Sequence, residues 1–199
     1  MGMTEIFVTL ANDKTQPAQG EWTYEDYLAL PDDGRRYEII EGVLYVTNAP
    51  DIDHQFAVSE LLGEMRAFVK QNKLGYVLAA PFEVHLNERS RPVQPDVFFI
   101  QADKWPGSGA KFFEGSPSLV IEVLSPASIR TDRYVKFNAY EQAGVAEYWV
   151  VNPRLRTVEV YTLSGGEFGL LGEFTGDEVI QSQVLAGLAI VTRTLFVGG

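Results

Sequence analysis

Apolar residues recur along this chain in two rhythms, and the change from one to the other divides it into elements. Between Asp53 and Asn72 the positions Phe56, Leu61, Leu62, Met65, Phe68 and Val69 fall at helical spacing, predicting a long amphipathic helix flanked by Asp53 and Gly75. Short apolar runs predict strands at residues 37–40, 43–47, 76–80, 83–85, 97–100, 119–123, 147–151 and 158–162. The first two are separated only by Glu41-Gly42, the signature of a tight hairpin. Thr23 ahead of Tyr24-Glu25-Asp26 reads as an N-cap with an acidic first turn, opening a short helix that stops near Pro31-Asp32-Asp33-Gly34. Residues 128–143 predict a second helix with Tyr134, Phe137 and Tyr140 on one face, ended by Gly144. The turn Asn152-Pro153-Arg154 joins the last two strands.

Residues 1–20 are weakly patterned, a tail or a loose strand, and residues 165–199 are Gly-rich with short β-like runs. Strands interleaved with helices indicate an α/β (α+β) layered domain: one mixed sheet flanked by helices, with extra β-hairpins toward both ends, spanning residues 21–199 as a single domain.

Composition narrows the function classes. The 199 residues fit one domain with a substantial core, and 46% hydrophobic with 22% charged residues is globular rather than disordered. No apolar run reaches the length needed to span a bilayer, and no basic stretch followed by an apolar one opens the chain, so a cytoplasmic location is the default expectation. Ile6 stands where a myristoylation signal needs Ser or Thr. The absence of cysteine excludes disulfides, thiolate catalysis and Cys-ligated metal. The net charge of −11 repels phosphates at long range, so any phosphate chemistry requires a bound cation or a local basic patch.

Two carboxylates stand out. Asp96 follows Pro95 and opens the apolar run Val97-Phe98-Phe99-Ile100, whereas Glu122 interrupts Leu119-Val120-Ile121, in the most apolar strand of the chain. A buried carboxylate without compensation costs several kcal/mol or protonates. A divalent cation shared by the two is one compensation, since Mg²⁺ is commonly held by one or two carboxylates plus water. The alternatives are a Glu122 that turns outward or pairs with Arg130 or Arg133.

Pro95-Asp96, followed by Glu122 within an apolar strand, resembles the PD-(D/E)XK pattern of the restriction-endonuclease-like nucleases. More closely, the chain resembles the Uma2 family within that superfamily. The stretches that carry the likeness are Tyr37-Glu-Ile-Ile-Glu-Gly-Val-Leu, Gln94-Pro-Asp-Val, Ile121-Glu-Val-Leu-Ser-Pro-Ala-Ser, Asp132-Arg-Tyr-Val-Lys-Phe-Asn-Ala-Tyr and Gly144-Val-Ala-Glu-Tyr-Trp-Val-Val-Asn-Pro. They cover roughly residues 22 to 162. The resemblance implies a metal-dependent endonuclease acting on nucleic acid, DNA before RNA. Asp96, Glu122 and the backbone carbonyl of Val123 would bind Mg²⁺ or Mn²⁺, and a lysine would stabilise charge on the phosphate.

One departure matters. The lysine position two residues after Glu122 is Leu124. The resemblance offers Lys136 instead, from the following helix, where Asp132, Lys136 and Tyr140 share a face by i, i+4 spacing. Lys136 then joins Asp96 and Glu122 as a catalytic residue and Tyr140 lies near the substrate; the alternative is an ordinary Asp132–Lys136 surface pair. Glu38 is a further catalytic candidate from an early strand, whereas Glu41 could serve only the hairpin. His54, at the start of the long helix, is a substrate-binding candidate, with capping or packing as the alternative. His85 reads as structural, and Tyr148 and Trp149 as core. The arginines at positions 35, 36, 89, 91, 130, 133, 154 and 156 would supply phosphate contacts if several line the cleft mouth. Edges among the C-terminal strands suggest a homodimer. A non-enzymatic binding or assembly protein that keeps the nuclease fold is the rival reading, consistent with Leu124 and the acidic composition.

Overall fold

The computed structural model describes residues 16–47 and 49–198, so most of the expected N-terminal tail lies outside the described residues. The short helix α1 (Tyr24–Tyr27) carries a capping box: the Thr23 hydroxyl accepts from the Asp26 N–H, and the Asp26 carboxylate accepts from the Thr23 N–H. Strands β1 (Arg36–Ile40) and β2 (Val43–Thr47) form the expected hairpin, with Ile40 opposite Val43. Both turn residues, Glu41 and Gly42, have positive φ, as a two-residue hairpin turn requires. A side chain at Gly42 would collide with the Gly20 carbonyl, whose residue hydrogen-bonds back to the turn.

Helix α2 (Ile52–Asn72) buries Ala57, Leu61, Met65 and Val69 on one stripe. Its cap is Asp51 rather than Asp53. The extended backbone at Asp51 lets its carboxylate turn back onto the His54 N–H, whereas Asp53 already lies in the first turn. The helix ends on Lys73 in the left-handed conformation, two residues before Gly75.

Strands β3 (Gly75–Ala79), β4 (Glu83–His85), β5 (Val97–Gln101), β6 (Phe112–Glu114) and β7 (Leu119–Val123) follow. Helix α3 (Phe137–Ala143) precedes β8 (Glu147–Asn152), β9 (Thr157–Ser164), β10 (Glu167–Thr175), β11 (Val179–Ile180) and β12 (Ile190–Val191). The main sheet has the order β10-β9-β8-β7-β5-β3, parallel only between β7 and β8. It is the mixed sheet flanked by helices that the pattern implied.

Alternation along the central strands sorts the core. Val97, Phe99, Leu119, Ile121, Val123, Trp149 and Val151 pack toward α2, whereas Phe98, Ile100, Val120, Tyr148 and Val150 pack with Ala139 and Tyr140 of α3. Tyr148 and Trp149 are therefore core residues. Glu122 shares the parity of Val120, so its side chain belongs to the α3 side.

The helix expected over residues 128–143 is not uniformly α-helical. Thr131–Lys136 forms a π-helical stretch that runs into α3. Asp132, Lys136 and Tyr140 take the buried face, while Tyr134, expected beside Phe137 and Tyr140, is two-thirds exposed. The face carrying Asp132 and Lys136 wins because its ionic groups find partners inside. The C-terminal region departs from expectation too. β10 is a nine-residue strand with a bulge between Leu170 and Gly172, and the glycines there blur its alternation in sequence. It is one edge of the sheet and exposes Leu170 and Leu171. No helix among the described residues is long and apolar enough to cross a membrane.

Candidate active site

Adjacent strands bring the two singled-out carboxylates together. The β5–β7 register pairs Val97 with Ile121, and one residue further along it sets Asp96 beside Glu122. Both are buried, at 3% and 0% exposure. Asp96 sits at the strand's start on the floor of a cleft of about 520 Å³, lined also by Arg36, Thr47, Asp51, His54, Val123 and Ser125 to Ser128.

Asp96 accepts three hydrogen bonds: from Arg36 at 3.0 Å, from the Val123 N–H at 2.9 Å, and from His54 Nε2 at 3.1 Å if that nitrogen carries the proton. Burial opposes its ionisation, but the His54 hydrogen bond and the Arg36 charge outweigh burial and hold its carboxyl well below the usual range. Val123, expected to offer its carbonyl, thus also holds Asp96 through its N–H. His54 is no cap. Asp51 fills that role, and the His54 ring faces Asp96 with its Nδ1 buried and unpartnered.

Glu122 has the opposite character. Burial, opposed by Lys136 and reinforced by Asp96, Asp132 and Glu38, pushes its carboxyl well above the ordinary value. Like-charge repulsion alone would have predicted a raised value for one of the pair, yet desolvation is the larger cause. Oε1 accepts from Lys136 Nζ at 2.9 Å and from the Tyr140 hydroxyl at 2.6 Å. Oε2 is buried without a partner. Glu122 neither turns outward nor pairs with Arg130 or Arg133.

Lys136 is buried at 1% exposure and is no surface residue. Its ammonium also meets Glu38 Oε1 at 3.0 Å and Asp132 Oδ1 at 3.9 Å. Burial pulls its pKa down, but Glu122, Glu38 and Asp132 more than reverse that and keep it cationic. Glu38 is fixed from its other side by the Gln94 N–H at 2.6 Å. Asp132 is pushed up to about 6, chiefly by burial. Tyr140, expected near the substrate, is fully buried behind Glu122 and does not line the cleft.

Glu41 does more than serve the hairpin: it ties the turn to the loop at residues 87–90, accepting from the Ser90 hydroxyl and Arg89. His85 is structural, bonding Glu83 and stacking on Phe112. Of the eight arginines that could have lined the cleft mouth, Arg36 alone does so among the described residues. Arg35, Arg89, Arg91 and Arg133 are tied to Asp33, Glu41, Glu88 and Glu159. The direct Arg36–Asp96 contact was not legible in sequence. Only the hairpin's place beside Asp96 reveals it.

The buried carboxylates supply the type of donor that a divalent cation takes. No three His, Asp or Glu side chains converge as a complete ligand set among the described residues. The buried cluster nevertheless holds four carboxylates (Glu38, Asp96, Glu122, Asp132) against two permanent cations, Arg36 and Lys136. It leaves one buried carboxylate oxygen, Glu122 Oε2, unpartnered.

The mixed sheet and its flanking helices are those of a restriction-endonuclease-like domain. The chain belongs to the Uma2 family, whose family model, described as "Putative restriction endonuclease", matches residues 24–193. A crystal structure titled as a "putative nuclease belonging to DUF820" from Anabaena variabilis ATCC 29413 is similar in fold. Its TM-score is 0.74 at 23% identity, over 87% of this chain and 97% of that one. No curated protein matches the chain.

Proposed function

We propose that this protein is a Mg²⁺- or Mn²⁺-dependent endonuclease hydrolysing nucleic-acid phosphodiesters, DNA before RNA. Asp96, Glu122 and the Val123 carbonyl would hold the cation. The observation that carries the reading is Glu122: a buried carboxylate with one oxygen bound by Lys136 and Tyr140 and the other unpartnered, beside the cleft-floor Asp96. When bound, the cation would polarise a phosphoryl oxygen and acidify the attacking water.

The chain's own residues do the rest. Tyr140 and Lys136 fix the Glu122 carboxylate, while His54 and Arg36 fix Asp96, so both oxygens arrive preorganised. Lys136 supplies a compact positive charge against the negative charge that builds on the phosphoryl oxygens, the role of the lysine missing at Leu124. Arg36, a quarter exposed at the cleft, can leave Asp96 for a phosphate oxygen. Glu38 keeps Lys136 charged and in place.

Incubating the protein with labelled single- and double-stranded DNA and RNA, plus Mg²⁺ or Mn²⁺, tests this. Cleavage that EDTA and Asp96→Ala both abolish is expected. The second reading, a binding module on a nuclease fold, is favoured by Glu122 and Lys136 lying behind the cleft floor and by Leu124. Intact polymers under every metal would establish it.

A further inference from the structure

The two oxygens of Asp96 are not equally engaged. Oδ2 takes two donors, the Val123 N–H at 2.9 Å and His54 Nε2 at 3.1 Å, the second of which requires the proton on that nitrogen. Oδ1 takes one, Arg36 Nη1 at 3.0 Å. The capacity that Asp96 keeps for a further ligand is therefore on the oxygen that Arg36 holds. A cation on Oδ1, at the Mg²⁺–oxygen distance of about 2.1 Å, would stand within about 5 Å of that guanidinium nitrogen. Two positive groups so close, at a buried carboxylate where water screens little, repel each other strongly. Arg36 and the proposed cation thus compete for Asp96.

Arg36 holds Asp96 loosely. It reaches the carboxylate through Nη1 alone, whereas Arg133 grips Glu159 through both terminal nitrogens. Its Nε is turned to the Thr47 hydroxyl at 3.3 Å. The other three of the five N–H groups that an arginine carries have no acceptor among the described residues. The side chain is 26% exposed and lines the cleft. A phosphodiester offers this fork two oxygens at once, the bidentate contact that makes arginine the preferred residue at phosphates.

We propose that Arg36 couples phosphodiester and cation binding: a phosphodiester draws the guanidinium off Asp96 and thereby strengthens the cation's hold on Oδ1. The proposal rests on the nuclease reading for the cation site and adds a regulation of that site. Coupling between two ligands is reciprocal, so the cation strengthens phosphodiester binding by the same factor. A cation without substrate is then held weakly. The other charged side chains lining the cleft include the carboxylates Asp51, Asp96 and Asp132, so the cleft gains its extra positive charge together with the phosphate that needs it.

Calorimetric titration of Mn²⁺ with and without excess dimethyl phosphate tests this, the probe being a phosphodiester too inert to be cleaved meanwhile. A blank titration into the diester alone corrects for any Mn²⁺ that it binds in solution. In the wild type, dimethyl phosphate should raise Mn²⁺ affinity at least about fivefold, the lower end of ordinary couplings. Arg36→Gln removes the charge. It should bind Mn²⁺ at least about fivefold more tightly than the wild type when no diester is present, and the diester should then add little. Arg36→Lys keeps a positive charge without the fork. It should bind Mn²⁺ as weakly as the wild type and lose most of the diester's effect, and it carries the test if circular dichroism shows Arg36→Gln unfolded.

Mn²⁺ affinity that dimethyl phosphate leaves unchanged in the wild type, or raises equally in Arg36→Gln, would overturn the coupling and leave the cation site standing. So would a folded Arg36→Gln that binds Mn²⁺ no more tightly than the wild type. No Mn²⁺ bound by any of the three proteins, with or without the diester, would instead remove the cation site itself.

Discussion

Lys136 concentrates the physics of the site in one side chain. An ammonium at 1% exposure survives only because Glu122, Glu38 and Asp132 surround it, and those carboxylates depend on it in turn. If it acts on the phosphoryl oxygens, Lys136→Ala should lower turnover by roughly 10²–10³-fold, beyond any change in Mn²⁺ affinity that loosening Glu122 brings. Lys136→Arg should restore little, since a planar fork does not fit the site of a compact ammonium. Steady-state kinetics beside calorimetry check this, and unchanged cleavage in Lys136→Ala would assign the role to another residue. Asp96 and Glu122 were legible in sequence because a charge inside an apolar run demands compensation. Lys136 was legible only through the family likeness, because its spacing from Asp132 and Tyr140 equally suits a surface pair. Arg36 was hidden among other arginines, since nothing local names its partner across 60 residues.

At the scale of elements, the register of β5 and β7 does most to build the site, and the apolar runs made both strands readable. The π-helical stretch Thr131–Lys136 was not readable, because its apolar spacing suits an ordinary helix and the widening follows from where Asp132 and Lys136 find partners. That stretch has a pH signature. Asp132 rises from 3.8 to about 6 on folding, so its contribution to stability is fully present below pH 3.8 and is lost as pH climbs through about 6. Asp132→Asn should therefore flatten the metal-free protein's stability across pH 4 to 6. Urea unfolding at pH 4, 5, 6 and 7 measures it, and parallel curves for the two proteins would refute the assignment. β10 illustrates the opposite failure: Gly169 and Gly172 left a nine-residue strand legible only as short β-like runs.

Seen whole, the molecule is acidic, with a net charge of −11, and Arg35, Arg36, Arg133 and Lys136 are among the cations that its own carboxylates hold. The open β10 edge with exposed Leu170 and Leu171 is where a homodimer would pair, and light scattering should then give a dimer mass that falls on dilution. A monomer mass at every concentration would remove the dimer. The central claim is that Asp96 and Glu122 form one cation site, and Mn²⁺ titration calorimetry on the wild type, Asp96→Asn and Glu122→Gln tests it most directly. The account predicts one Mn²⁺ per wild-type chain, with heat lost in both variants although each keeps its fold by circular dichroism. Equal binding in all three proteins, or none in the wild type, would contradict it.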